Sequence, residues 1–419
     1  MSSHSSAESI DIDNYRQLVG DALIDEILHL SDGLKGLRLC NINATASGGG
    51  VAELLNREVP IYRALGIEAD WRIIHGDKAF FEITKSFHNA LQGSEFQLTD
   101  GVRQDYLEHN RTCAELLEVS YDIYVVHDPQ PAAIRYFHRT RQDKWVWRCH
   151  IDSSSPNEQV WEFLRPYIEA YDAAVFTAEP FRPPDLRMDR VAFIAPAIDP
   201  FATKNIDLPQ NLCRQAIADS GVNLREPLLL QVSRFDPWKD PLGVIQVYRL
   251  VKKQRPGVQL ALIGAMAGDD PEGWDMLETI NAEATADPDL HVFTNLTGVG
   301  NMEVNVFQRG ADLVIQKSRK EGFGLVVSEA LWKEKAVVAG AAGGIPMQFP
   351  KGYHQYLVSN AEECAAKLLY LLDNPDEVAA FGRAGRERVR AEFLLPRLVH
   401  DQLKLIADLL ERGGAQTKA

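Results

Sequence analysis

The chain has 419 residues, 45% of them hydrophobic, and a formal net charge of −15. That length suggests two or three domains with sizeable cores. The acidic balance excludes a dedicated nucleic-acid binder, which would carry a basic face, but allows a phosphorylated ligand held by a local cluster of Lys and Arg.

No apolar run approaches the ~20 residues of a membrane span. The start, MSSHSSAESIDID, lacks the basic segment and apolar core of a secretory signal. Five scattered cysteines without a C-x-x-C pair read as reduced thiols of a cytoplasmic protein. Zinc-ligand spacing is absent.

In chain order, residues 1–12 are polar and expected to be loose, and 15–34 carry a helical apolar pattern. Leu37–Asn43 is a strand candidate running into Ser47-Gly48-Gly49-Gly50 and a helix with Val51, Leu54, Leu55 and Val59. Strand, glycine loop and helix together form either a cradle for an anion or sugar or a plain flexible turn. The spacing is not that of a dinucleotide fingerprint. Ala69–Ile74 is the next strand candidate, and residues 76–112 read as helices with polar connectors. There His88, Asn89 and Gln92 lie about one turn apart, facing a polar pocket or solvent.

Tyr121–Val126 and Trp145–Cys149 are strands followed by His127-Asp128 and His150-Ile151-Asp152. Ligands of open parallel sheets bind outside the carboxyl ends of strands, so both pairs are candidate sugar-binding groups. Tyr171–Thr177 and Val191–Ala195 complete this half. The alternation of strands and helices predicts an α/β, doubly wound parallel sheet.

A second sheet starts at Pro227–Val232 and ends in Ser233-Arg234-Phe235-Asp236-Pro237-Trp238-Lys239. Arg234 and Lys239 either neutralise a diphosphate or are surface charge. Pro241–Lys252, residues 274–284 and Met302–Arg309 read as helices, and Val258–Gly264 and Leu290–Thr294 as strands. Ala311–Gln316 then leads into Ser-Arg-Lys-Glu-Gly-Phe-Gly-Leu, residues 318–325, and a helix. Such a turn aims free amides and the positive helix end at one point. Glu321 before it and Glu329 in the helix can hold hydroxyls on either side of a bound phosphate, the layout of a nucleotide sugar. Read alone, the stretch also fits an ordinary helix start. Ala336–Ala339, the turn Gly343-Gly344-Ile345-Pro346, helices at 368–372 and 378–389, and an amphipathic helix at 398–410 end the chain.

Glu321-Gly-Phe-Gly-Leu325 with Glu329 resembles the donor signature of retaining GT-B glycosyltransferases. The order of sites along the chain resembles the glycosyltransferase 4 family. Ser47-Gly-Gly-Gly-Val-Ala-Glu53, Phe87–Gly93, Val126-His-Asp-Pro-Gln-Pro-Ala132, Trp147-Arg-Cys-His-Ile-Asp152, Gln231–Lys239 and Asp269–Trp274 are similar to the trehalose glycosyltransferring synthases within it.

The resemblance implies two Rossmann-like domains facing a cleft. Residues 1–203 with a returning helix at 396–412 would take the acceptor, and 204–395 the donor. It implies transfer of glucose from ADP- or UDP-glucose to glucose, giving trehalose with retention by front-face attack. The alternatives are a trehalose phosphorylase, a related transferase with another acceptor, or a catalytically silent sugar sensor.

By the same resemblance Arg234 and Lys239 stabilise the leaving diphosphate, Glu329 binds ribose, and Glu321 with Phe323, Gly324, Leu325 and Val326 contacts donor sugar and phosphate. Gly49 and Gly50 close over the donor. Asp128 and His150 stand at the reaction centre, Asp128 toward the acceptor, with His88, Asn89 and Gln92 as further acceptor contacts. No cofactor or metal is implied. Asp11-x-Asp13 and Asp287-x-Asp289 do not lie where metal-dependent GT-A enzymes place their pair. The expected partners are sugars and a nucleotide sugar, without nucleic acid or membrane; a homodimer is left open. One departure stands out: where the family continues toward Asp-Gly-x-x-Gly-Phe-Leu-Val, this chain reads Met347–Val358 with Gln355-Tyr356 in place of Gly-Phe.

Overall fold

Apolar runs without alternation, such as Ile123–His127 and Leu228–Val232, are buried along their whole length. That pattern belongs to parallel strands covered on both faces. The structure is a computed structural model and describes residues 2–4, 10–46, 49–138, 143–266 and 271–416. The chain divides into two compact units, one of Met1–Pro196 with Leu395–Ala419, the other of Ala197–Leu394.

The first unit holds seven strands: β1 Ser2–His4, β2 Arg38–Asn43, β3 Glu68–Ile73, β4 Ile123–His127, β5 Lys144–Cys149, β6 Ala173–Phe176 and β7 Val191–Phe193. Their order is β1-β3-β2-β4-β5-β6-β7, all parallel except β1, which runs antiparallel to β3. Its core gathers large aromatics, with Tyr124 stacked on Trp145 at 4.0 Å. The helix Leu395–Gln416 belongs to this unit, although some two hundred residues of the other unit precede it.

The second unit holds β8 Leu228–Val232, β9 Gln259–Gly264, β10 Leu290–Thr294, β11 Leu313–Gln316, β12 Val337–Gly340 and β13 Leu357–Val358, in the parallel order β10-β9-β8-β11-β12-β13. Both sheets are doubly wound and α/β, as the alternation predicts. In each, the chain reverses its direction of travel across the sheet once, between β2 and β4 and between β8 and β11. Ligands of such sheets bind in the crevice at that reversal.

Two expectations fail near the N-terminus. Ser2–His4 is not loose but pairs with Trp71–Ile73 of β3, and Ile10 and Ile12 are buried. The periodic stretch 15–34 is not one helix. It is broken at Gly20, where φ is 86°, into Arg16–Val19 and Asp21–Asp32. Only glycine enters that left-handed conformation without strain, and apolar spacing does not register such a break.

The Met347–Val358 departure is packed. Tyr353 and Tyr356 stack on Phe381 with centroids 4.6 and 5.2 Å away, Phe349 leans on the same ring, and the Tyr356 hydroxyl donates to Glu377.

Candidate active site

In the first unit, three neighbouring strands end in polar groups. After β2, the Asn43 side chain donates to the Thr45 carbonyl and accepts from the Trp71 indole, which fixes the exit of the strand. Gly49 then caps the helix Gly50–Ala64 in extended conformation. Ser47 and Gly48 lie outside the described residues, as does part of the Asp269–Trp274 motif.

After β4, Asp128 adopts a left-handed backbone, φ 63°, which costs a non-glycine residue on the order of 1–3 kcal/mol. Three hydrogen bonds hold it there. Its amide donates to the Arg148 carbonyl, its carbonyl accepts from the Trp147 indole, and its carboxyl accepts from the His150 amide at 2.8 Å. Burial raises the Asp128 carboxyl to about 7, against the opposing effects of the His150 amide and the Arg148 charge.

The two strand-end histidines form one unit. His127 Nδ1 and His150 Nε2 are 2.9 Å apart, and His127 Nε2 reaches Asn41 Oδ1 on β2 at 3.1 Å. Burial, reinforced by the Arg148 charge, holds both rings well below the usual histidine range, so they are neutral. His88 lies close enough to lower His150 further. It sits at the end of the helix Lys78–Leu91, with Asn89 beside it and Gln92 at its cap, all three half-buried. The structure therefore gathers Asp128, His150 and His88 and adds His127 and Asn41. Asp152 is turned away, accepting the Ser154 amide.

Below this cluster lies Arg148, 2% exposed, with its guanidinium 3.8 Å from the buried Glu58 carboxylate. Glu58 also accepts from Tyr62 and from Gln402 of the last helix.

In the second unit, the loop after β8 is shaped by Asp236, whose carboxylate accepts the amides of Trp238 and Lys239. This turns the Lys239 ammonium onto Glu321 Oε1 at 2.8 Å, with both side chains mostly buried. The other Glu321 oxygen accepts from Ser318, itself held by Gln316. The loops after β8 and β11 are also tied through the Arg319 amide and the Trp238 carbonyl.

Arg234 stands apart from this pair. It lies 3.3 Å from Asp236, and its side chain is 55% exposed. Asp240, in left-handed backbone before the helix Pro241–Lys252, collects Lys317 at 2.5 Å and Arg319 at 2.9 Å, two cations the sequence did not single out.

The turn 321–325 is set by close approach of backbones. A side chain at Gly343 would put Cβ 1.8 Å from the Glu321 carbonyl oxygen, and one at Gly340 2.4 Å from that of Ser318. Gly324, φ 83°, then caps the helix Leu325–Trp332, whose first amides have no intrahelical acceptor. Phe323 is buried against Phe393. Glu329 is buried, 3.2 Å from Lys204 and 3.4 Å from Gln308, partners that no spacing signal had marked.

Similarity to solved structures defines the class. The chain superposes on a sucrose-phosphate synthase of Thermosynechococcus elongatus with TM-score 0.70 at 16% identity, covering 90% of this chain and 100% of that one. A trehalose 6-phosphate synthase of Burkholderia multivorans gives 0.68 at 16%, covering 91% and 100%. Two Rossmann-like units with polar groups at both chain reversals make this a glycosyltransferase of the GT-B fold.

Residues 41–183 match the family described as Trehalose synthase, N-terminal domain, and residues 214–388 the Glycosyl transferases group 1. A trehalose synthase of Rubrobacter xylanophilus is 50% identical over 403 residues, 95% of this chain and 96% of that protein. Another, of Pyrococcus horikoshii, is 42% identical over 400 residues with the same coverage. A trehalose phosphorylase of Grifola frondosa is 30% identical over 413 residues, 87% of this chain but 56% of that protein. The chain belongs to the trehalose synthase family and is a hexosyltransferase of trehalose metabolism. Among the described residues no helix is long and apolar enough to cross a membrane.

Proposed function

We propose that the protein transfers glucose from a nucleoside diphosphate glucose to free glucose, forming trehalose with the donor's anomeric configuration retained. The observation that carries this reading is the Lys239–Glu321 pair at the β8/β11 reversal, beside the glycine-shaped turn 321–325. An ammonium and a row of helix-start amides suit a diphosphate. A carboxylate held 2.8 Å from that ammonium suits the hydroxyls of the attached sugar.

In the reaction the bond from the anomeric carbon to the diphosphate oxygen breaks, and a bond from that carbon to the acceptor oxygen forms on the same face. The acceptor's proton passes to a phosphate oxygen of the leaving group. No protein nucleophile is required; the chain's part is positioning and charge stabilisation. Lys239 counters the charge building on the diphosphate. Arg234, more than half exposed, is free to swing from Asp236 to the same phosphates. Glu321 takes donor sugar hydroxyls. Glu329, with Lys204 beside it, serves the ribose.

Asp128 and the neutral His150 bind sugar hydroxyls at the reacting end, and His88, Asn89 and Gln92 the far side of the acceptor. Neutral rings suit this task, since each nitrogen can accept from or donate to a hydroxyl without holding a charge that the neutral product must leave behind.

The test is a product assay on purified protein with glucose and ADP-, UDP- or GDP-glucose in turn. Trehalose formed mole for mole with one nucleoside diphosphate is expected. Nucleotide release without trehalose would sink the acceptor assignment. Phosphate-dependent cleavage of trehalose, with no nucleotide dependence, would move the chain to the phosphorylases.

A further inference from the structure

We infer that Gln348 is a positioning residue for the donor phosphates, acting through the backbone of the turn 322–325; this rests on the donor reading above. Gln348 is fully buried in the stretch where the sequence leaves its family's pattern. All of its hydrogen-bonding capacity points at the donor turn and its surroundings. Nε2 donates to the Phe323 carbonyl at 2.5 Å and to the Gly344 carbonyl at 3.2 Å, and Oε1 accepts from the Ser328 hydroxyl at 2.6 Å. Two carbonyls can only accept, so the amide nitrogen must face them and the oxygen must face Ser328.

The consequence follows from peptide geometry. In a trans peptide the C=O and the N–H of the next residue point to opposite sides, and none of the described peptide bonds is cis. The Gly322 carbonyl is taken by the Gly344 amide at 2.8 Å, which turns the Phe323 N–H the other way. The Phe323 carbonyl is taken by Gln348, which turns the Gly324 N–H the other way. Two successive carbonyls are thus anchored on the segment after β12, and two successive amides are turned away from it, ahead of the first amides of the helix Leu325–Trp332. Successive N–H groups of this kind form an anion-binding concavity.

Ser328 ties the same glutamine to that helix one turn further on, so loop and helix start are held as one piece. From behind, Arg388 donates to the Met347 carbonyl and fixes the backbone that carries Gln348. Gln348 itself touches no substrate; it sets where the amides aim.

The test is calorimetric binding on the full chain, with each nucleoside diphosphate (ADP, UDP, GDP) measured beside its nucleoside, in the unaltered protein and in Gln348→Met. Thermal midpoint is recorded for each. The variant keeps volume and loses both donors. We expect diphosphate affinity to fall tenfold or more and nucleoside affinity to change less than twofold, whatever the midpoint does. Diphosphate affinity within twofold of the unaltered chain would overturn the inference. So would equal loss for diphosphate and nucleoside, the mark of a merely structural role.

Gln348→Glu, isosteric but without donors, carries the same expectations should the methionine variant not fold. Ser328→Ala keeps both carbonyl contacts and is expected to lose less than threefold; a greater loss than in Gln348→Met would also overturn the assignment. An unaltered chain that binds no diphosphate better than its nucleoside would overturn the donor reading and this one together. A diphosphate preference that survives in Gln348→Met overturns this one alone.

Discussion

In the first unit, the groups at the ends of β2, β4 and β5 are two neutral rings, an amide side chain and a carboxyl that burial raises to about 7. In the second, an ammonium and a carboxylate stand 2.8 Å apart beside a turn made of close backbone contacts. Both sites occupy the same place in the same kind of sheet. The difference lies in what the strands feed into the crevice: His and Asp after β4 and β5, Lys, Glu and glycine after β8, β11 and β12. One assortment matches uncharged hydroxyls, the other a leaving group that gains negative charge. Topology fixed the location, and side-chain chemistry assigned the task.

That contrast can be broken most sharply at Lys239. Lys239→Ala should lower turnover by roughly 10²–10³, the scale of removing one group that stabilises developing charge, with little change in glucose binding. Steady-state kinetics with both substrates varied would check it, and unchanged turnover would remove Lys239 from the reaction.

Next comes Gly343, where φ is 50° and an added Cβ would meet the Glu321 carbonyl oxygen. Gly343→Ala should destabilise the chain by at least about 2 kcal/mol, read from urea midpoints, and weaken nucleoside diphosphate binding in whatever fraction folds. A neutral outcome would mean that the turn yields easily and that close approach is not what shapes it.

The smallest effect concerns pH. Asp128 has a carboxyl raised from 3.8 to about 7 by burial. Below about 7 it keeps its proton and is a poorer acceptor for a sugar hydroxyl. The kcat/KM for glucose should therefore climb with pH through about 7 and level off above, while Asp128→Asn should be flat over that limb.

Stability carries the opposite sign. A carboxyl whose pKa is raised by folding binds its proton more tightly in the native state, so its contribution is present at low pH and is lost as pH rises through that window. The advantage of Asp128→Asn in thermal midpoint should grow between pH 4 and about pH 7. The depressed histidines lose stability as pH falls below their ordinary 6.5, but they do so in both chains and cancel in the difference.

Much of this was legible in the sequence, for identifiable reasons. Strands buried on both faces are unbroken apolar runs, and glycines at strand exits mark places where backbones approach. Hence β2, β4, β5, β8 and β11, and with them Asp128, His150, Lys239 and Glu321, could be located from residue order. What stayed hidden depends on register or on distant partners. The His127–His150 bond exists because β4 and β5 pair with His127 opposite Arg148, which no local pattern states. Lys204 and Gln308 reach Glu329 from distant segments. Gln348 read as part of a departure from the family, and only the three groups it touches reveal its place.

The helix Leu395–Gln416 has a consequence for how the protein is made. Gln402 donates to Glu58, 344 positions earlier in the chain, and Glu58 is the buried partner of Arg148 beneath the histidines. A ribosome adding about 5–20 residues each second leaves that carboxylate waiting for its amide on the order of tens of seconds. In that interval the whole of Ala197–Leu394 emerges and can fold. The unit that begins first is therefore the unit that finishes last. A polypeptide cut short before its final helix would carry a finished second unit beside an unfinished first, which makes the last turns of the chain a checkpoint on the entire product.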